Sequence, residues 1–345
     1  MKRRKLLYLL PALAFLSCSD ETITDPQTTE ELNELLEANV EVAYPDEIGN
    51  LSTVFFAGKE ISVEEIDGEY IYEGDIKLSP EMLSKKEPKL VYEPGEKAPE
   101  KSVGRTSGMW PNNTVYYAID GNLADKARVT DAITHWESNT SLKFVLRSSQ
   151  SNYIYFTTGS GCSSYIGMIG GRQNITLSSS CSTGSTIHEI GHAVGLWHEQ
   201  SRVDRDNHIK INFENIQSGR EHNFKTYAQS GYDGKEFTSS LDFGSIMMYG
   251  SYSFSSNGQP TIVKTNGSTY SVQRSALSSG DVQGANSMYP SSSTATSPTT
   301  STYINGETYI LYGVSVYRYN DLWWYYSRTY SWREVILRSG YWYYK

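Results

Sequence analysis

Cysteine is scarce in this chain. Its 345 residues hold three, Cys18, Cys162 and Cys181, and no two fall at CxxC spacing, so a thiol redox pair has no support. Clustered positive charge is missing too: 39 Asp and Glu outnumber 30 Lys and Arg, and no basic patch points to nucleic acid. The apolar run near the N-terminus, Leu6 to Leu16, is broken by Pro11. It is too short to cross a bilayer as a mature helix.

That run does fit a signal. Lys2, Arg3, Arg4 and Lys5 precede it, and Phe15-Leu16-Ser17-Cys18 resembles a bacterial lipobox, which implies lipidation of Cys18. Export follows, to the outer membrane or cell surface as a lipoprotein, with soluble secretion as the alternative. Removing Cys18 leaves Cys162 and Cys181 as an even pair in an exported chain, and a disulfide is the economical reading. The net charge of −9 is unevenly spread. Residues 19–105 carry 22 acidic and 8 basic side chains, whereas residues 106–345 carry 17 and 18.

Three of the six histidines fall within eleven residues, in His188-Glu189-Ile190-Gly191-His192 and the following His198. Residues four apart share a helix face, so His188 and His192 can present imidazoles to one ion. Gly195 can end the helix in a left-handed turn and swing His198 round to the same point. Three neutral imidazoles leave Zn²⁺ one open position, the arrangement of a catalytic site. Glu189 stands where it can take a proton from water. One zinc per chain is expected.

The full run, HEIGHAVGLWHEQSRVDRD, resembles the astacin signature HExxHxxGxxHExxRxDRD at every fixed position, within the metzincin class. Ser245-Ile246-Met247-Met248-Tyr249 resembles that family's SxMHY turn, with Met248 in place of histidine. The resemblance implies Met247 as an apolar floor beneath the metal. It implies Tyr249 as a tyrosine that swings to the developing oxyanion, and Glu199 as a structural partner for a freed amino terminus. It also implies a disulfide where Cys162 and Cys181 stand, although the family's second disulfide is missing.

Upstream, Tyr72-Glu73-Gly74-Asp75-Ile76 resembles the FEGDI element of astacin propeptides. The resemblance implies that Asp75 ligates the metal and holds the enzyme latent. Ser84 to Glu100, rich in Lys, Glu and Pro, reads as exposed and cleavable, and comparison with the family puts the cut between Ala98 and Ser107.

The expected organisation is a signal peptide (1–17), an acidic tether (18–40), a propeptide (41–105), a catalytic domain (106–290), a Ser/Thr/Pro linker (291–302) and a Tyr/Trp-rich β module (303–345). The expected fold class is α+β. A metzincin zincin fold would have a twisted, mostly parallel sheet with an antiparallel edge strand, exposed to receive substrate, two long helices and a less regular lower subdomain. The tail holds 11 Tyr and 4 Trp with strand-like alternation, and reads as three or four short strands. Its aromatics either bind a glycan or cell-surface ligand or form the core of a piece too small to build one otherwise.

These observations point to a monomeric zinc endopeptidase acting on protein or peptide substrates. The alternative is a catalytically silent surface-binding lipoprotein that uses the aromatic tail.

Overall fold

Alternating apolar residues before residue 85 build a small sheet. In β1 (Asn50–Phe56) and β2 (Lys59–Ile66), paired antiparallel from Asn50↔Glu65 to Phe56↔Lys59, the inward Val54, Phe56, Ile61 and Val63 are buried. β3 (Glu69–Tyr72) and β4 (Ile76–Leu78) follow, with a short β5 (Leu83–Ser84) beside β1. A two-residue strand, β6 (Val91–Tyr92), stands apart from these. The computed structural model describes residues 42–56, 59–80, 83–84, 91–94, 108–230, 236–291, 304–311, 314–327, 331–338 and 341–345. The signal, Cys18, the acidic tether, the 98–107 cleavage window and the linker after Ser291 lie outside them.

From Thr114 the chain alternates strands and helices: β7 (Thr114–Ile119), α1 (Ala127–Asn139), β8 (Lys143–Leu146), β9 (Tyr153–Thr157), β10 (Cys162–Tyr165), β11 (Arg172–Leu177) and α2 (Thr183–Val194). Helix α1 buries Val129, Ala132, Ile133 and Trp136 at helical spacing, and Trp136 donates its indole N–H to the Ile187 carbonyl of α2 at 3.0 Å. β8, β7, β9 and β11 run parallel, and β10 is antiparallel to β11, in line with the expected mixed sheet.

The expected exposed edge requires correction. β4 pairs in parallel with β10 (Ile76↔Ser164, Lys77↔Tyr165), so the N-terminal strands extend the central sheet to ten. The β10 edge is covered by the chain's own residues. Ile166, Tyr227 and Trp197 pack into the core of that N-terminal sheet.

Beyond Gly195 regular structure thins, as expected. Short 3-10 turns alternate with a two-stranded pair, β12 (Ile209–Ile211) and β13 (Ile262–Lys264), before α3 (Ser279–Met288). Side chains replace the missing ladders: Asn212 and Asn215 both donate to the Pro260 carbonyl, at 3.0 and 2.9 Å.

The C-terminal module has five strands, not three or four: β14 (Thr308–Leu311), β15 (Val314–Tyr319), β16 (Leu322–Ser327), β17 (Ser331–Arg338) and β18 (Tyr341–Tyr344). They form an antiparallel meander whose sixth strand is β6, parallel to β18. This corrects the reading of Ser84 to Glu100 as exposed throughout, because Val91 is only 3% exposed within the module's core.

Candidate active site

Helix α2 begins with a capping box in which the Ser182 side chain accepts from the Ser185 N–H and Ser185 reaches back to the Ser182 N–H. It ends at Gly195, left-handed at φ 112°, a conformation that costs glycine little. The helix therefore stops one turn after His192 and lets His198 return to the same point. A disulfide joins Cys162 on β10 to Cys181 just before the cap, with Cα atoms 6.0 Å apart. Strand β10 and the helix start are thereby fastened together.

His188, His192 and His198 meet above this helix, and Asp75 joins them from the N-terminal sheet. The Asp75 carboxylate lies 3.2 Å from His188 Nε2, 3.5 Å from His192 Nε2 and 3.3 Å from His198 Nε2, and the four candidate ligand atoms all lie within 4.8 Å of one another. Each imidazole is oriented through its other nitrogen. Nδ1 of His188 faces the Ile246 carbonyl at 2.8 Å, that of His192 the Leu196 carbonyl at 2.9 Å, and that of His198 the Glu73 carboxylate at 3.0 Å. A proton on each Nδ1 leaves every Nε2 lone pair aimed inward.

The donor set suits zinc: three imidazole nitrogens and one carboxylate oxygen. Among the described residues, Asp75 Oδ1, His192 Nε2 and Glu189 Oε2 are buried without a hydrogen-bond partner, the deficit a cation would remove for the first two. The charges agree. Burial holds the His192 pKa down at about 4. Burial opposes the His198 cation as well, but the carboxylates of Asp75 and Glu73 outweigh it and raise the pKa to about 10. Metal-free, this cluster keeps a proton on His198 where a cation would sit, so binding must release it.

Glu189 is 1% exposed, and burial, followed by the Asp75 charge, pushes its carboxyl well above the ordinary range. Tyr249 donates its hydroxyl to the Glu73 carbonyl, and its ring lies 4.6 Å from that of His198. Glu73 and Gly74 turn the chain over the metal centre with φ of 46° and 81°. A Cβ on Gly74 would meet Phe254 Cζ at 2.7 Å, so any side chain there requires that ring to move.

Below, Met247 Sδ presses on Gly191 so closely that a Cβ there would meet it at 2.7 Å. Met248 is buried with Phe224, Tyr249 and Tyr270, and its carbonyl accepts from Arg274 at 2.7 Å. Glu199 accepts the Asp242 N–H at 2.9 Å, and its own N–H donates to the Met247 carbonyl at 2.9 Å. It lines a cavity of about 330 Å³ with Met109, Arg202 and Asp281. Burial raises the Glu199 pKa to about 7.

A family profile described as Astacin (peptidase family M12A) matches residues 102–290, more than half of the chain. The chain belongs to the astacin family. Protein SpAN of the sea urchin Strongylocentrotus purpuratus is 39% identical over 230 residues, spanning 63% of this chain but 37% of its own length. Flavastacin of Elizabethkingia meningoseptica is 39% identical over 205 residues, 56% of this chain and 45% of that protein. The chain thus spans less than half of either relative. Among solved structures, the hatching enzyme zinc-protease high choriolytic enzyme 1 of the medaka Oryzias latipes superposes with a TM-score of 0.50 at 28% identity, covering 55% of this chain and 98% of that one. The astacin family consists of zinc metalloproteases, and the three histidines with Asp75 are consistent with one zinc.

The structure brings together His188, His192, His198, Asp75, Glu189, Tyr249 and Met247, with Glu199 and Gly195 at the adjoining cavity. Three residues of this centre had no role in the sequence reading. Glu73, inside the quoted Tyr72–Ile76 element, binds His198. Gln200 accepts the Tyr249 N–H at 3.2 Å. Asp281 accepts from Ser245 Oγ at 2.6 Å and the Ile246 N–H at 2.9 Å, fixing the turn whose carbonyl orients His188. The Ser278–Asp281 capping box was a signal that could have found Asp281.

Proposed function

We propose that the chain is a zinc endopeptidase made in latent form, exported and anchored by lipid at Cys18, and activated by removal of residues before the catalytic domain. The observation that carries the latency is the Asp75 carboxylate 3.2–3.5 Å from three imidazole nitrogens, where a substrate carbonyl would have to stand. His188, His192 and His198 would hold the metal. Zinc supplies a Lewis acid that activates water near neutral pH and polarises the scissile carbonyl.

The chain's own residues do the rest. Once Asp75 leaves, the charge that helps raise Glu189 leaves with it, and Glu189 can take a proton from the attacking water and deliver it to the departing amine. Tyr249, freed from the Glu73 carbonyl, donates its hydroxyl to the oxyanion, a contact whose loss typically costs about 10²–10³ in rate. With β4 gone, β10 becomes an edge that an extended peptide can join. The cavity at Glu199 would receive the new amino terminus, which ties processing to the metal-side loop.

Protein or peptide is the expected substrate. The module's outward face supports a glycan ligand as well: Tyr319, Tyr326 and Trp332 are each about half exposed, and Trp332 lies 5.4 Å from Tyr326 and 5.6 Å from Tyr317. A silent binding protein is the weaker reading, since the histidine set and Glu189 are all present.

Zinc content and casein cleavage should be measured for residues 19–345, uncut and cut, beside Glu189→Ala. One zinc per chain is expected, with activity only after cutting and none in the variant. Hydrolysis undiminished in cut, metal-loaded Glu189→Ala would overturn the reading.

A further inference from the structure

The strand β6 belongs to the residues before the cleavage window, yet it completes a sheet built from the far end of the chain. Val91 pairs with Trp342 and Tyr92 with Tyr343, parallel to β18. Val91 is buried at 3% exposure in a core otherwise made of Val316, Val335, Trp342 and Tyr344. Beside it, Glu93 meets the Arg333 guanidinium at 3.4 Å. β18 closes the five-stranded meander, so without β6 it would present an unpaired edge and an apolar gap.

The propeptide is thus held at two places. One is the metal centre, through Asp75 and the β4–β10 pairing. The other is the tail module. Both lie on the N-terminal side of the 98–107 window, so a cut there breaks neither.

We propose that the Tyr/Trp-rich module is a retention domain for the propeptide. It grips residues 91–93 as its sixth strand, so the cut propeptide stays bound with Asp75 still over the metal centre, and release rather than scission sets the onset of activity. This rests on the latent-enzyme reading above for its effect on activity, but not for the retention itself. Two sites on one strap make each rebinding intramolecular, so losing one site should speed escape well beyond its own share of contacts.

The test uses the full chain from residue 19 with residues 98–104 replaced by the recognition sequence of a specific protease. After complete cutting, size-exclusion chromatography and mass spectrometry follow how long the N-terminal fragment stays with the remainder, while casein cleavage is recorded in parallel. The unaltered strand should hold the fragment long after the cut is complete, with activity rising on the timescale of its loss. Val91→Asp places a charge in an apolar core and should shorten retention by about a hundredfold or more. Val91→Ala, too small a change to unfold the module, should shorten it about tenfold.

Retention unchanged in Val91→Ala and in Val91→Asp would overturn the proposal, as would a fragment that leaves as fast as it is cut. Retention is read without activity. If the remainder freed of the fragment proves no more active than the uncut chain, the latent-enzyme reading fails while the retention measurement still decides the module's role.

Discussion

The metal centre has a floor and a roof, and the two are built differently. The floor is made of α2 and the Ser245–Tyr249 turn. Asp281 fixes that turn from the capping box of α3, and the Ile246 and Leu196 carbonyls set two of the histidines. Apart from Glu189 Oε2 and His192 Nε2, which face the roof, its buried side-chain polar atoms are paired, and Met247 packs on bare backbone. The roof is Glu73-Gly74-Asp75. It carries two left-handed residues, one of them not glycine, and buried carboxylate oxygens on Glu73 and Asp75 with no hydrogen-bond partner. A floor whose turn and histidines are held by its own backbone and by Asp281 stands whether or not the roof is there. A roof whose two buried carboxylates are paired to the histidines below it depends on the charge of the site and is poised to leave.

The largest effect should come from removing the roof's charge. Asp75→Ala deletes one side of a buried charge cluster, a change that typically costs 2–5 kcal/mol. The uncut chain should then cleave casein about a hundredfold faster than the unaltered uncut chain. An uncut variant as silent as its parent would mean that the strand pairing, not the carboxylate, enforces latency.

The floor is tested by Asp281→Ala, which strips two hydrogen bonds from the turn and leaves the Ile246 N–H buried and unpaired. About 2–4 kcal/mol of stability should be lost, read as a lower urea midpoint in cut and uncut protein alike. A loss confined to the uncut chain would erase the distinction between floor and roof.

Acid probes the turn beside the floor, Glu221–Phe224. His222 lies two residues before Phe224, whose ring is 6.0 Å from Tyr249, and burial holds its pKa down at about 4. The unfolded chain takes up that proton near pH 6.5 while the folded chain does not. Stability is therefore full above pH 6.5 and falls between 6.5 and about 4, by roughly 1–3 kcal/mol. His222→Gln should flatten that part of the urea-midpoint curve, and an unchanged slope would remove His222 from the account.

The floor was largely legible because its signals are local. His188, His192, Gly195 and His198 sit at fixed offsets on one helix and its exit, and the Met247 turn follows from a five-residue motif. The roof's Asp75 was legible through an equally compact element. Glu73 was not, because its contact with His198 depends on a positive φ that no residue pattern announces. The pairing of β6 with β18 was the least legible. Two residues in a stretch rich in Lys, Glu and Pro carry no periodicity, and their partner lies at the opposite end of the chain. The lower half from Gly195 to Ser278 was expected only as irregular, since bonds such as those from Asn212 and Asn215 to Pro260 leave no repeat to read.

The smallest predicted effect separates roof from floor most sharply. Gly74→Ala retains every charged group and changes one methyl. At φ 81° an alanine is strained by about 1 kcal/mol, and its Cβ meets Phe254 Cζ at 2.7 Å, so the ring must move or the roof must lift. The uncut chain should leak activity about five- to tenfold above the unaltered chain, as expected for a bias of about 1–1.4 kcal/mol on a closed state. Once the propeptide has been cut and removed, the variant and the unaltered enzyme should be indistinguishable in kcat and KM, because residue 74 is no longer part of the molecule. A deficit that persists in the cut enzyme would mean that the roof shapes the floor while it folds, and the two could no longer be treated as separable.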